Sequence, residues 1–445
     1  MESMAFDQGK KIIILLSLLL AVALLRPHLQ RYDSVGYYSW VRSLVINGNV
    51  NIQDELQIYD MNTFIIKTPT GNPAQPWPVG CSILWVPFFI MAHIFVLIVN
   101  FLGWPIIADG FSLPYRLAVA CGTVIYGTLG VLIIYHIIEN YFSSMVATIS
   151  VITIWLASPL VFYMFAHPMM SHANDMFAYT LVLWAWLATR KTPFHPLPYA
   201  LLGLASGLAA LVRNQNAALA MLVMLLIGYQ SLRGTLTWRQ GGLSTVIFSV
   251  FWCFAFFPQL LIWKSTFGDW ILLSHPYSYI PGAGTFHFGF PWIFHVMFSD
   301  NRGIFIWHPV LLLAVFGFIY LFKKDKLLFF FLVMSFLIQL GIIGSWEHWH
   351  GSRGFGQRFF VNLVPAFMLG FAALLSELQQ KISIKIIIPL CLAFIVWNFL
   401  LMLQFILNTV PRGGPIDLKL MVKNQFLVVP ENLGKLLRAF LTRSE

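Results

Sequence analysis

Asp33 heads the run Asp33-Ser34-Val35-Gly36-Tyr37-Tyr38, after which apolar and aromatic residues recur at Tyr37, Trp40, Val41, Leu44 and Val45. That is helical spacing along one stripe. It predicts an amphipathic helix lying in a membrane interface, with Arg42 interrupting the stripe. A carboxylate at the head of such a helix has two uses. It can take the proton of an attacking hydroxyl, or it can serve as the N-cap, where Asp is common. Arg213 opens Arg213-Asn214-Gln215-Asn216, a charge and three amides between two apolar runs. Such a group is costly inside a membrane unless it faces a cavity. A guanidinium matches a phosphate through paired N–H donors. The competing role is a snorkelling side chain at a helix turn.

Two further stretches carry candidate groups. In His167-Pro168-Met169-Met170-Ser171-His172-Ala173-Asn174-Asp175, the two histidines can hydrogen-bond a phosphate or a sugar hydroxyl, or cap the next helix. They lie five apart, whereas a zinc pair on a helix needs a spacing of about three or four. The densest polar and aromatic cluster is Trp346-Glu347-His348-Trp349-His350-Gly351-Ser352-Arg353-Gly354-Phe355-Gly356-Gln357-Arg358. Its Trp faces suit the apolar faces of sugars, although some belong to an interfacial belt. Arg353 and Arg358 suit a phosphate leaving group, and Gly351, Gly354 and Gly356 let backbone N–H groups approach an anion. The expected substrate contacts are His167, His172, Asn214, Trp346, Glu347 and Trp349, with Asp300, Arg302 and His308 as weaker candidates. Lys264 and Asp269 are expected only to close an outer loop.

The elements that must position these groups are membrane helices. Apolar residues make up 59% of the 445, charged residues 10%, and mean hydropathy is +0.77. A soluble domain is about a quarter charged, so lipid must be the solvent for most of this chain. In lipid, backbone groups pair within the segment, and apolar runs of about 20 residues read as helices. Such runs fall near 12–25, 81–102, 115–138, 145–166, 176–189, 197–212, 216–230, 243–263, 304–322, 327–345, 360–376 and 386–407. The run at 12–25 lacks a small-residue cleavage site and is expected to stay as the first helix. There are no alternating barrel strands, no heptads and no convincing internal repeat. The net charge of +10 comes without a basic stripe, so it reports sidedness rather than nucleic-acid binding. Cys81, Cys121, Cys253 and Cys391 lie inside apolar runs, without metal-ligand spacing.

Lys10 and Lys11 set the orientation. If 81–102 crosses the bilayer, Arg190, Lys191, Arg233, Arg239, Lys323, Lys324, Lys326, Lys381 and Lys385 all fall outside, against the positive-inside rule. If it does not cross, all fall inside. Pro87 lies within this segment, with Pro76-Trp77-Pro78 before it and Gly103-Trp104-Pro105 after it. These breakers suit a re-entrant or broken helix. The expected architecture is an all-α polytopic bundle of about eleven transmembrane helices, with a large first outer loop (26–80) and an outside C-terminus. Residues 1–407 form the membrane domain. The extracytoplasmic tail 408–445, with an amphipathic stretch near 433–441, is given no role. This topology gathers 26–80, 167–175, 264–303 and 346–359 on the outer face.

An Asp shortly after the first membrane helix, followed by a Tyr-rich helix, resembles the first loop of the GT-C glycosyltransferases. Further stretches are similar to bacterial members, such as protein mannosyltransferase-like and aminoarabinose transferase-like proteins. They are Asn72-Pro73, Pro76-Trp77-Pro78-Val79-Gly80, Met170-Ser171-His172, Gly207-Leu208-Ala209-Ala210-Leu211-Val212-Arg213, Pro258-Gln259, Trp263-Lys264 and Phe267-Gly268. Later come Phe298-Ser299, Arg302-Gly303-Ile304-Phe305, Trp307-His308-Pro309, Gly351-Ser352-Arg353 and Phe355-Gly356-Gln357-Arg358. The resemblance spans roughly 10–375, and the order of these short motifs carries it. It implies a multi-pass membrane enzyme, in bacteria of the inner membrane with its site facing outward. The donor would be a polyprenyl-phosphate sugar, and the acceptor a glycan, lipid or protein. Asp33 would be the catalytic acidic residue, and Asp175 the second one, orienting the acceptor or helping to bind a metal. The Asp-x-Asp pair of the metal-dependent branch is missing, so no cofactor is required and a divalent metal is unsupported. Arg213, Arg353 and Arg358 would meet the donor phosphate. The competing functions are a lipid-glycan transporter or flippase, and a glycan ligase or polymerase.

Overall fold

A computed structural model describes residues 2–29, 32–191, 194–272, 284–428 and 430–432, with side chains from residue 8 onward. The amphipathic stretch expected at 433–441 lies outside the described residues. The helices are α1 (Glu2–Leu24), α2 (Asp33–Arg42), α3 (Gln53–Ile58), α4 (Gly80–Phe101), α5 (Leu113–Glu139), α6 (Ser144–Leu156), α7 (His172–Lys191), α8 (Pro196–Val212), α9 (Ala217–Leu232), α10 (Trp238–Phe267), α11 (Ile293–Phe298), α12 (Ile304–Trp307), α13 (Val310–Lys324), α14 (Lys326–Gly344), α15 (Val364–Leu378), α16 (Ile384–Ile406) and α17 (Leu418–Phe426). Among the described residues the only extended pairings are isolated bridges, Lys67 with Pro73 and Phe286 with Trp346.

Seven helical stretches are long and apolar enough to cross a membrane: α4, α5, Asn214–Leu232, α10, α14, Arg358–Leu378 and α16. The protein is therefore an integral membrane protein, nearly all helical as expected. Eleven crossings were expected from charge parity; length and composition support seven among the described residues, and α4 is one of them. The expected break in 81–102 is absent, because α4 runs on through Pro87 as one helix of 22 residues. At about 1.5 Å per residue, that is long enough to span. The backbone disturbed by Pro87 is supported by packing, since α4 lies against α2, α5 and α8.

The chain divides into two compact units. The first comprises 1–141, 163–285 and 331–339. Within it α8 packs on α7 and α10, α5 on α1, α4 and α7, and α2 on α4. Small residues allow the closest of these approaches. A Cβ at Gly203 would collide with the Phe248 carbonyl, and one at Gly207 with the Trp252 carbonyl. Two glycines four apart thus bring α8 onto the backbone of α10, the usual device where no hydrophobic drive exists between helices in lipid.

The second unit comprises 142–162, 286–330 and 340–445. Here α15 packs on α6 and α13, and α16 on α6 and α17. Gly317 and Gly370 form the close contact between α13 and α15, where a Cβ at Gly317 would overlap the Gly370 carbonyl. The first part of the tail, including α17, belongs to this unit.

The expected stripe on α2 lies against protein. Ser34 through Val41 are all buried, and Trp40 and Val41 are fully enclosed. Both faces of the helix are covered by the chain itself. Gly36 and the serines make the second face small enough to be covered by protein, where the pattern of large residues alone showed only one face.

Candidate functional site

The first unit holds Asp33 at the start of α2. The N-cap is Tyr32, at φ 72°, and Asp33 is the first helical residue. Positive φ is uncommon for a bulky side chain; here the Tyr32 ring is met edge-on by Phe64 at 5.6 Å. The carboxylate of Asp33 is half-buried, and its Oδ1 accepts the indole N–H of Trp77 at 3.0 Å. Trp77 is itself fixed. Its ring occupies the space a Cβ at Gly36 would need, Phe64 meets it at 5.4 Å, and its carbonyl accepts the Trp40 indole N–H at 3.0 Å.

The loop that carries Trp77 is tied down at both ends. Thr68 and Thr70 donate to the Thr266 carbonyl, and the Asn72 amide donates to the Ser265 carbonyl at 2.9 Å. After Trp77, the Val79 N–H donates to Oε1 of buried Gln259 at 3.0 Å. Gly80 then sits so close to Leu211 and Val212 that a Cβ would strike their backbone. Those are the last residues of α8, directly before Arg213. One short segment, 76–80, therefore touches both the candidate base and the helix end that presents Arg213.

Arg213 leaves α8 in extended conformation. Its Nε lies 3.5 Å from Oδ2 of Asp175, which is buried in the first turn of α7. Its Nη1 reaches the His172 Nδ1 at 2.9 Å and the Ser171 hydroxyl at 3.4 Å, and its Nη2 donates to Gln215 Oε1 at 3.3 Å. A guanidinium only donates, so Nδ1 of His172 is an acceptor and the ring proton sits on Nε2. The Asn216 amide donates to Oδ1 of Asp175 and to the Ala209 carbonyl. Asp175 is thus the counter-ion of Arg213. His167 and His172 both lie against the Tyr163 ring, with centroids at 6.5 and 4.4 Å. Asn214 turns a 3₁₀ segment beside this cluster, with Oδ1 buried and unpartnered.

The other candidates belong to the second unit. Arg302 is fully buried with φ 69°. Its Nε donates to the Gly354 carbonyl at 2.7 Å, and its Nη groups donate to the carbonyls of Pro411, Arg412 and Gly414 and to Asn301 Oδ1. These partners make Arg302 a clip between loop 351–356 and the start of the tail. His308 is likewise enclosed, its ring filling the space a Cβ at Gly356 would need and meeting Phe355 at 5.6 Å. It packs against the loop at Phe355 and Gly356. Trp346 stacks on Phe286 at 6.3 Å, Trp349 is buried against His295 at 5.7 Å, and Glu347 is exposed.

Gly351, Ser352 and Gly356 all take positive φ, which turns the loop tightly. Arg353 is exposed, Asp300 is exposed beside Ser299, and Arg358 is half-buried, lying along Gly351 and over the Phe359 ring at 5.1 Å. His350 registers the local field. Burial, then Arg302, His348 and Arg358, lower its pKa from 6.5 to about 4. The Nδ1 of His350 accepts the Ser352 N–H at 3.0 Å, consistent with a neutral ring. A group with a depressed pKa of this kind takes its proton first in the unfolded chain. Stability should therefore fall as pH drops from 6.5 towards about 4. His350→Gln should flatten that fall in thermal unfolding against pH.

Sequence reasoning missed Trp77, Asn216 and the Arg42–Glu55 pair. Glu55, fully buried on α3, accepts from Arg42 at 2.8 Å, and Arg42 also lies over Phe111 at 4.6 Å. Burial holds the Glu55 carboxyl above its usual range, while Arg42 pulls it back. The signal for Trp77 was present in Pro76-Trp77-Pro78, which reads as a stiffened segment. Among the described residues, no three His, Cys, Asp or Glu side chains are grouped to hold a metal ion.

No protein-family model and no curated protein matches the chain. Among solved structures it is similar to a crystal structure of ArnT from Cupriavidus metallidurans bound to undecaprenyl phosphate, with 13% identity and a TM-score of 0.45. That match covers 88% of this chain and 62% of the other, so this chain spans less than two thirds of that protein's length.

Proposed function

We propose that the protein is an inverting glycosyltransferase of the GT-C kind, moving a sugar from a polyprenyl-phosphate carrier to an acceptor hydroxyl. The observation that supports this most is the arrangement in the first unit. A partly exposed carboxylate, Asp33, and a guanidinium, Arg213, are each held by fixed partners, and segment 76–80 touches the surroundings of both. A carboxylate for a proton and a guanidinium for a phosphate are what this transfer needs, and a membrane bundle gives a lipid-borne donor lateral access.

In the proposed step the acceptor oxygen attacks the anomeric carbon from the face opposite the phosphate. Asp33 takes the hydroxyl proton as the new C–O bond forms. The bond from the anomeric carbon to the phosphate oxygen breaks, and polyprenyl phosphate leaves with the electron pair. Arg213 neutralises the charge that grows on that oxygen. In a low-dielectric site this contributes most to the rate. Asp175 keeps Arg213 in place. In the second unit, Arg353 and Arg358 on their glycine-rich loop also suit a phosphate.

The purified protein, given a polyprenyl-phosphate sugar and acceptor, should release one polyprenyl phosphate per sugar transferred. Movement of the intact lipid across vesicles without release would favour a transporter and remove this reading. The outward placement of loop 346–359, proposed from the Lys and Arg distribution, is tested by placing Cys at Ser352 in a variant without the four native Cys. Labelling of intact cells by an impermeant thiol reagent supports it, and labelling only after lysis overturns it.

A further inference from the structure

We propose that Trp77 is a positioning residue for Asp33, orienting its carboxylate and holding it ionised. The catalytic part of this proposal rests on the transferase reading above; the hydrogen bond on which it stands does not. Tryptophan is a demanding choice beside a carboxylate. It has one donor, the indole N–H, and no acceptor, so it favours the ionised form of its partner. At 3.0 Å from Oδ1 the donor is in direct range.

The ring has little freedom to leave that position. It is 2% exposed, lies flat where Gly36 lacks a side chain, and is flanked by Phe64. Gly36 is one turn along α2 from Asp33, so the ring spans from the acid to the next turn of the same helix. The Trp77 carbonyl accepts from Trp40, a turn further on. Pro76 and Pro78 fix φ on either side. Side chain, main chain and neighbours thus all lock one rotamer of Trp77 to the first two turns of α2. A purely structural Trp would need the ring contacts but not a donor aimed at the acid.

The test is Trp77→Phe, which keeps an aromatic ring and removes the donor. The turnover rate should fall by about 10- to 100-fold, the worth of one hydrogen bond to a charge. KM for the donor should change less than about twofold, since that bond does not bind substrate. The acid limb of the pH profile should move to higher pH, because the carboxylate loses a donor that favours its charged form. An unchanged rate and acid limb, in a background where Asp33→Asn is inactive, would overturn the proposal.

A second readout is independent of activity. In the protein labelled with nitrogen-15 on its Trp indoles, the resonance lost in Trp77→Phe should titrate with pH in the wild type and be flat in Asp33→Asn. A resonance indifferent to both pH and Asp33→Asn overturns the positioning proposal whatever the enzyme does. A titrating resonance combined with a fully active Asp33→Asn supports the hydrogen bond and overturns the transferase reading instead.

Discussion

Asp33→Asn is expected to lower sugar transfer by about 10²- to 10⁴-fold, the usual contribution of a general base. The substitution is close to isosteric. The amide oxygen of Asn still accepts the Trp77 indole N–H, and the ring stays on Gly36. Because Asp33 opens α2 and Tyr32 takes the N-cap, helix capping changes little. Unfolding free energy should thus change by no more than about 1–2 kcal/mol, the difference between a hydrogen bond to a charge and a neutral one. Donor binding should also persist, since the phosphate is assigned to arginine. The measurement is released polyprenyl phosphate alongside thermal unfolding in the same detergent. A variant that keeps its fold and turns over within tenfold of wild type would show that Asp33 is not the base.

Arg213→Ala is expected to cost about 3–5 kcal/mol of stability, the range for breaking one side of a buried ion pair. The carboxylate of Asp175 would remain enclosed with Asn216 as a donor but without its guanidinium. His172 Nδ1 and Ser171 would lose a donor as well. The double variant Arg213→Gln with Asp175→Asn removes both charges and keeps hydrogen-bonding amides, so most of the stability should return. Activity should not return, because no cation is left to meet the phosphate. Denaturant unfolding and donor binding, measured on the single and double variants, separate the two roles of Arg213. A double variant that regains both stability and donor binding would show that Arg213 serves the fold alone.

Much of the helical framework was legible because apolar run length is a strong signal in lipid. The runs at 81–102, 115–138, 197–212 and 386–407 became α4, α5, α8 and α16 within about two residues. Interruptions inside runs were less visible. The run 145–166 is α6 followed by a break at Ser158-Pro159 and a π turn, and 304–322 is two helices parted at His308-Pro309. Proline marked both places, yet it did not break α4, because packing decides whether a proline is absorbed. The candidate groups were legible by type but not by partner. Asp175 with Arg213 is a contact between residues 38 apart in sequence, and nothing in their local spacing announces it. In the sequence Arg302 stands only as a weaker substrate candidate beside Asp300 and His308. Only the distant carbonyls of 411–414 reveal a clip.

That clip has a consequence for how the protein is made. The carbonyls that meet Arg302 lie 109 to 112 residues further along the chain. A ribosome adds about 5–20 residues per second, so Arg302 and Gly354 are in place several seconds before their last partners exist. During that interval a guanidinium waits without the acceptors it will finally bury against. Completion of loop 351–356 is therefore tied to synthesis of 411–414, and a nascent chain halted before that point would hold Arg302 through Gly354 and Asn301 but without the carbonyls of Pro411, Arg412 and Gly414.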